Sequence, residues 1–147
     1  MPTFALVPAR PDDLTAIASL QYSACTSDPA YRVVFPKGPS LTSLSHTVQQ
    51  FEYSMENDPT FHTWIVRDGV SGETASYAIW HFYPPHSPDV VEHEMLQTEF
   101  PLPIDANKEA GNKLIHTGVR TRHEVVMKNF GIGKPYACSY SLLLVAS

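Results

Sequence analysis

A chain of 147 residues is about the length of one domain, and a chain of that size buries roughly two-thirds of its unfolded surface. Hydrophobic residues at 43% and charged ones at 17% exclude a disordered or fibrous chain, and a formal charge of −5 speaks against a nucleic-acid binder, which carries a basic patch or stripe. Two widely spaced cysteines, Cys25 and Cys138, read as small buried hydrophobes in a reducing compartment, and no paired Cys/His spacing marks a structural zinc site.

The N-terminal residues lack a basic segment and the apolar stretch of a signal peptide, and no run approaches the ~20 apolar residues that span a bilayer. The expectation is a soluble cytoplasmic protein with no membrane or nucleic-acid partner. The 13 prolines punctuate the chain, because proline inside a helix or central strand forfeits a hydrogen bond. The elements lie between them.

Thr3 to Val7 predicts a short first strand, closed by Pro8. Pro11-Asp12-Asp13 opens a helix, since proline suits the first turn and carboxylates favour the positive end of the helix dipole. Its apolar face is Leu14, Ile17, Ala18, Leu20 and Ala24, and Asp28-Pro29 ends it. Tyr31 to Pro39 reads as a loop anchored by Val33, Val34 and Phe35. The second helix has the cleanest period: Leu41, Leu44, Val48, Phe51 and Met55 form one stripe, read as core packing, with Ser40 as N-cap and Asn57-Asp58-Pro59 as the stop.

Phe61 to Arg67 and Thr74 to Tyr83 follow as a hairpin turned by Asp68 to Gly72. Residues 84–107 hold five prolines and no clear period, so they read as an irregular excursion with one turn of helix at Val90 to Leu96. A long helix from Lys108 to Asn129, with Gly131 beyond its end, and an apolar strand from Tyr136 to Val145 complete the series. The whole, residues 1–147, predicts a single α+β (mixed α/β) domain with a mainly antiparallel sheet flanked by helices.

Several phrases are similar to one family. They are Val7-Pro-Ala-Arg-Pro-Asp-Asp-Leu14, Ala24-Cys-Thr-Ser-Asp-Pro29 and Phe61-His-Thr-Trp-Ile-Val-Arg-Asp68. With them go Ser71-Gly72-Glu73, Ala75-Ser-Tyr-Ala-Ile-Trp80 and Gly133-Lys-Pro-Tyr-Ala-Cys-Ser-Tyr-Ser-Leu-Leu-Leu-Val145. Together they resemble the front half of the GNAT superfamily of N-acetyltransferases, in its fungal branch. The resemblance implies acetyl-CoA-dependent acylation of an amine. It also implies that the last strand leads into a loop of the form Arg or Gln, two residues, Gly, one residue, Gly or Ala, whose N–H groups hold the cofactor's pyrophosphate. No segment matches that loop in this context, because the chain ends with the strand. The expectation is therefore a truncated member that lacks the C-terminal cofactor-binding half. Acetyl-CoA binds such a chain only if the missing loop is replaced, and no cofactor-binding residue and no metal ligand is assigned.

The seven histidines are His46, His62, His81, His86, His93, His116 and His123, and four of them fall between His62 and His93. Imidazole titrates near neutrality and is the default general acid or base. His81 ends a strand among aromatics, Tyr83 is placed to donate a proton, and Asp89 with Glu92 and Glu94 supplies carboxylates to orient an imidazole. The candidate catalytic set is His81, Tyr83 and Asp89, with Trp80, His62, Phe35 and Tyr31 as substrate-binding candidates. His93-Glu94 and His123-Glu124 lack the spacing that places two metal ligands on one helix face.

Three functions fit these residues. One is an N-acetyltransferase by descent with an incomplete cofactor site. Another is a reused scaffold that isomerises, dehydrates or cyclises a small organic substrate without acetyl-CoA. The third is a non-catalytic dimeric binding module. An unpaired edge on the final strand is a template for another chain, which predicts a homodimer through that edge.

Overall fold

In the computed structural model, which describes residues 3–130 and 133–142, each element begins where a local signal starts it. Strand β1 spans Phe4–Pro8, and a 3-10 turn at Pro11–Asp13 leads into helix α1, Leu14–Cys25. Asp13 accepts from the backbone N–H of Arg10 at 2.9 Å and from Arg67 Nη2 at 2.6 Å, which ties the start of α1 to the sheet. The stretch read as a loop contains a short helix, α2, Pro29–Val34. Asp28 caps it by accepting from the N–H of Ala30 and Pro29 occupies its first turn, so the dipeptide that ends α1 also begins α2.

Helix α3 spans Leu41–Asn57, and the Ser40 hydroxyl accepts from the N–H groups of Thr42 and Ser43. Its stripe is core packing from Leu44 onward. Val48, Phe51 and Met55 pack on the main cluster, and Leu44 packs on a second one. Leu41, at the first helical position, is 83% exposed, because the helix begins beyond the ground its partners cover.

Strands β2, Phe61–Asp68, and β3, Thr74–Tyr83, form the expected hairpin. The Asp68 carboxylate accepts from the N–H groups of Val70 and Ser71, and Gly72 takes φ +75°, a conformation that favours glycine. Helices α4, Pro88–Leu96, and α5, Lys108–Phe130, then lie between β3 and the last strand, β4, Tyr136–Leu142. Residues 143–145 of the strand expected from the sequence, and Gly131, lie outside the described residues.

The four strands stand in the order β1-β2-β3-β4, and each neighbouring pair is antiparallel. This is a mixed α+β fold with an antiparallel sheet. Side chains alternate across a strand, so Ile65, Tyr77 and Ile79 face the helices and meet Ala9, Leu14 and Ile17 in the core. His81 and Tyr83 continue that same face of β3 past the apolar part of the core. Trp80 and Phe82 point the other way, beside His62 and Trp64. No helix among the described residues is long and apolar enough to cross a membrane.

Candidate functional site

Where the core face of β3 runs out of aliphatic residues, its side chains become titratable and aromatic. His81 lies opposite Phe61 in the register and packs edge-on to that ring at 5.3 Å between centroids. Its other neighbour is Tyr83, stacked at 5.5 Å. Asp58, just past the end of α3, accepts from the Thr60 hydroxyl through Oδ1 at 2.7 Å, and its Oδ2 lies 3.7 Å from His81 Nδ1.

The Thr60 hydroxyl proton is thus committed to Asp58, which leaves Oγ1, 3.3 Å from His81 Nδ1, to accept. That arrangement places the ring proton on Nδ1 and makes Nε2 the basic nitrogen. Burial pushes the His81 pKa below its ordinary value. The Asp58 carboxylate opposes this shift, while Arg122 and His62 reinforce it. The imidazole is therefore neutral at pH 7.

Beyond Tyr83 lies a second polar group built from three separate segments. Arg122, on α5, donates to the Tyr83 hydroxyl at 2.9 Å and to Glu94 Oε2, on α4, at 2.6 Å, with its guanidinium carbon 4.9 Å from the Tyr83 ring centre. His123, on the next residue of α5, is 1% exposed, and its Nε2 lies 2.5 Å from the same Glu94 oxygen. So short a contact to a carboxylate requires the proton on Nε2, so the 3.2 Å approach of Arg122 Nη2 to that nitrogen brings two donors together.

His86, in the loop after β3, completes the group. Its ring lies 5.3 Å from that of Tyr83, 5.5 Å from that of Tyr136 and 6.1 Å from that of His123. The Nδ1 of His86 is buried without a hydrogen-bond partner among the described residues. Burial lowers the His86 pKa. Glu94 opposes the shift, and His123 and Arg122 reinforce it.

Of the residues singled out in the sequence, His81 and Tyr83 stand together at this site. Asp89 lies exposed in the first turn of α4, and the carboxylates that do face the imidazoles are Asp58 and Glu94. Trp80 and His62 are paired in the register on the opposite face of the sheet. Tyr31 and Phe35 pack with Tyr22 and line a separate cavity of about 270 Å³, where burial pushes the Tyr31 pKa well up and its hydroxyl has no hydrogen-bond partner. A larger cleft of about 580 Å³ is lined by Val7 to Arg10, Asp12, Asp13 and Arg67.

Glu94, which the sequence offers as a carboxylate to orient an imidazole, does meet one, His123, whereas Asp58, Arg122, His123 and His86 are not assembled by sequence reasoning. They converge from the end of α3, the loop after β3, α4 and α5, and no spacing rule links those segments. No protein-family model and no curated protein matches the chain.

Proposed function

We propose that this chain is a GNAT-type domain whose small-molecule site is the helix-side face at the end of β3, with His81 as the base. The observation that carries this reading is the setting of His81: half-buried, neutral at pH 7, hydrogen-bonded through Nδ1 to Thr60 with the Asp58 carboxylate nearby, and stacked on Tyr83. A base that is unprotonated at pH 7 and fixed in one tautomer is what proton abstraction requires. The family part is supported by the helices between β1 and β2, the direct β2–β3 hairpin, and the antiparallel order β1-β2-β3-β4. Fold alone does not specify chemistry, so the reading rests on the site.

In acetyl transfer the acceptor arrives as an ammonium ion. His81 Nε2 takes one of its protons, and the freed nitrogen lone pair attacks the thioester carbonyl. The carbon–sulfur bond then breaks, and the thiolate takes the Tyr83 hydroxyl proton. The Tyr83 phenolate takes the second proton from the acylated nitrogen, leaving a neutral amide, a free thiol and a His81 imidazolium that returns its proton to solvent. A second reading is proton transfer on a small organic substrate without acetyl-CoA, such as isomerisation, dehydration or cyclisation. The observation favouring it is the acid–base pair on one strand face, which needs no acyl donor.

Calorimetry with acetyl-CoA at millimolar concentration separates the two. A dissociation constant in the micromolar range, about −8 kcal/mol, supports acetyl transfer. Kinetics of the H81Q variant then test the base, with loss of kcat at unchanged cofactor affinity expected. Absence of binding heat removes acetyl transfer and leaves proton transfer as the reading to test.

A further inference from the structure

We propose that His86, Glu94 and His123 form a three-ligand site for a divalent transition-metal ion of the zinc class. One ligand atom from each of the three lies within 4.8 Å of the others. Two imidazoles and a carboxylate are a donor set that zinc accepts, with a fourth position left for water or substrate. The ligands come from the loop after β3, from α4 and from α5, so the fold builds the site and no local motif announces it.

Three further observations point to an ion. The first is the buried Nδ1 of His86, which has no hydrogen-bond partner among the described residues. A buried imidazole nitrogen without a partner is costly, and metal coordination supplies one. The second is His123, fully enclosed on α5 with its Nε2 already directed at Glu94 Oε2. An ion between them replaces the proton they share, so that binding releases a proton. The third is the place of His86. Ligand atoms around zinc stand about 3.3 Å apart, since each bond is about 2.0–2.1 Å, so the three must draw closer than they stand. His86 lies outside helix and strand, between β3 and α4, so no backbone ladder opposes that adjustment.

Arg122 is the feature that opposes a cation. Its guanidinium shares Glu94 Oε2 at 2.6 Å, and its charge weakens any metal bound there. Arg122 and His123 both meet Glu94 at Oε2, and each carboxylate oxygen has about two lone-pair sites, so an ion in place of the shared proton and the Arg122 N–H can use that oxygen together. Arg122 then fixes the carboxylate's orientation, as outer partners of metal ligands do, and keeps its bond to Tyr83. The Tyr83 and Tyr136 rings, stacked at 4.8 Å, lie beside the His86 ring.

The test is titration of the metal-free chain with Zn²⁺ against a chromophoric chelator, using wild type, H86A, E94Q and the exposed control H93A. One equivalent bound per chain at micromolar or tighter affinity is expected. H86A and E94Q are expected to weaken it at least tenfold, while H93A changes it less than twofold. Absence of stoichiometric binding overturns the proposal, and so does binding that H86A leaves unchanged or that H93A removes. H86A alters a loop residue, and its far-UV circular dichroism shows whether it is folded. Should it fail to fold, Co²⁺ loading of the wild type decides: intense ligand-field bands of a four- or five-coordinate ion are expected, and a weak octahedral spectrum overturns the site.

Discussion

Replacing Glu94 with alanine tests whether the polar group beyond Tyr83 is assembled as described. Glu94 accepts from Arg122 at 2.6 Å and from His123 at 2.5 Å through one oxygen. Hydrogen bonds to a charged group contribute about 1.5–3 kcal/mol each, so the additive loss is about 3–6 kcal/mol. Two features reduce it. The Glu94 side chain is 28% exposed, so water recovers part of each interaction, and Arg122 retains its bond to the Tyr83 hydroxyl. What remains is a nearly buried His123 and a mostly buried Arg122 without their anion, a cost of about 2–3 kcal/mol.

With a urea m-value of about 1–3 kcal/mol per molar, E94A lowers the unfolding midpoint at pH 7 by about 0.7–3 M. E94Q keeps one acceptor oxygen and falls between. Urea denaturation followed by circular dichroism reads both. A midpoint for E94A within about 0.2 M of wild type, at unchanged slope, refutes the placement of α4 against α5. The double variant E94A/R122A adds a check, because its loss must be smaller than the sum of the two single losses if the groups interact.

Further outcomes follow from other parts of the fold. Burial lowers the His81 pKa in the folded state, so between that value and about pH 6.5 the unfolded chain binds a proton that the folded chain refuses; stability falls as the solution is acidified below about pH 6.5. H81F removes this share, and urea midpoints compared at pH 7.5 and about pH 5 are expected to differ less in the variant than in wild type. Asp13 shifts in the opposite sense to a buried carboxyl. Burial pushes its pKa up, but the Arg10 N–H and the Arg67 guanidinium together hold it below the usual range. Its contribution is therefore present above about pH 3.9 and lost as pH falls through the folded value, so D13N should cost about 1–2 kcal/mol at pH 7 and flatten the acid limb of the stability curve.

Two glycines within α5 give a matched pair. Nothing lies within 4 Å of a Cβ added at Gly118, so G118A should stabilise by about 0.5–1 kcal/mol. At Gly111 the added carbon meets Leu102 Cδ1 at 2.6 Å, so thermal melts of G111A should show no gain or a loss of about 1 kcal/mol.

The elements were legible wherever a period and a stop signal coincided. The α3 stripe, the turn at Asp68 to Gly72 and the long α5 all depend on neighbours in sequence, and all stand close to where the residues place them. Helix α2 carries its signal too. Asp28-Pro29 ends α1, but an aspartate followed by proline is also an N-cap and first-turn pair, and here it serves as both. The site divided along the same line. His81 and Tyr83 share a strand face by the two-residue repeat, so their proximity is written locally. Glu94, Arg122 and His123 meet only because α4 packs on α5, and that packing depends on surfaces that no single segment encodes. Asp89 lies in the first turn of its helix, where the dipole favours it, and so it was a poor guide to which carboxylate faces an imidazole.

Central to the proposed chemistry is His81 as a neutral base with its proton on Nδ1, donated to Thr60 Oγ1 beside the Asp58 carboxylate. Long-range proton–nitrogen spectra of the histidine rings, recorded from about pH 5 to 8, test it directly. His81 is expected to stay neutral and Nδ1-protonated somewhat below pH 6.5, where an unperturbed imidazole is already substantially charged. A His81 ring that titrates at or above about pH 6.5, or that carries its proton on Nε2 when neutral, would contradict this assignment.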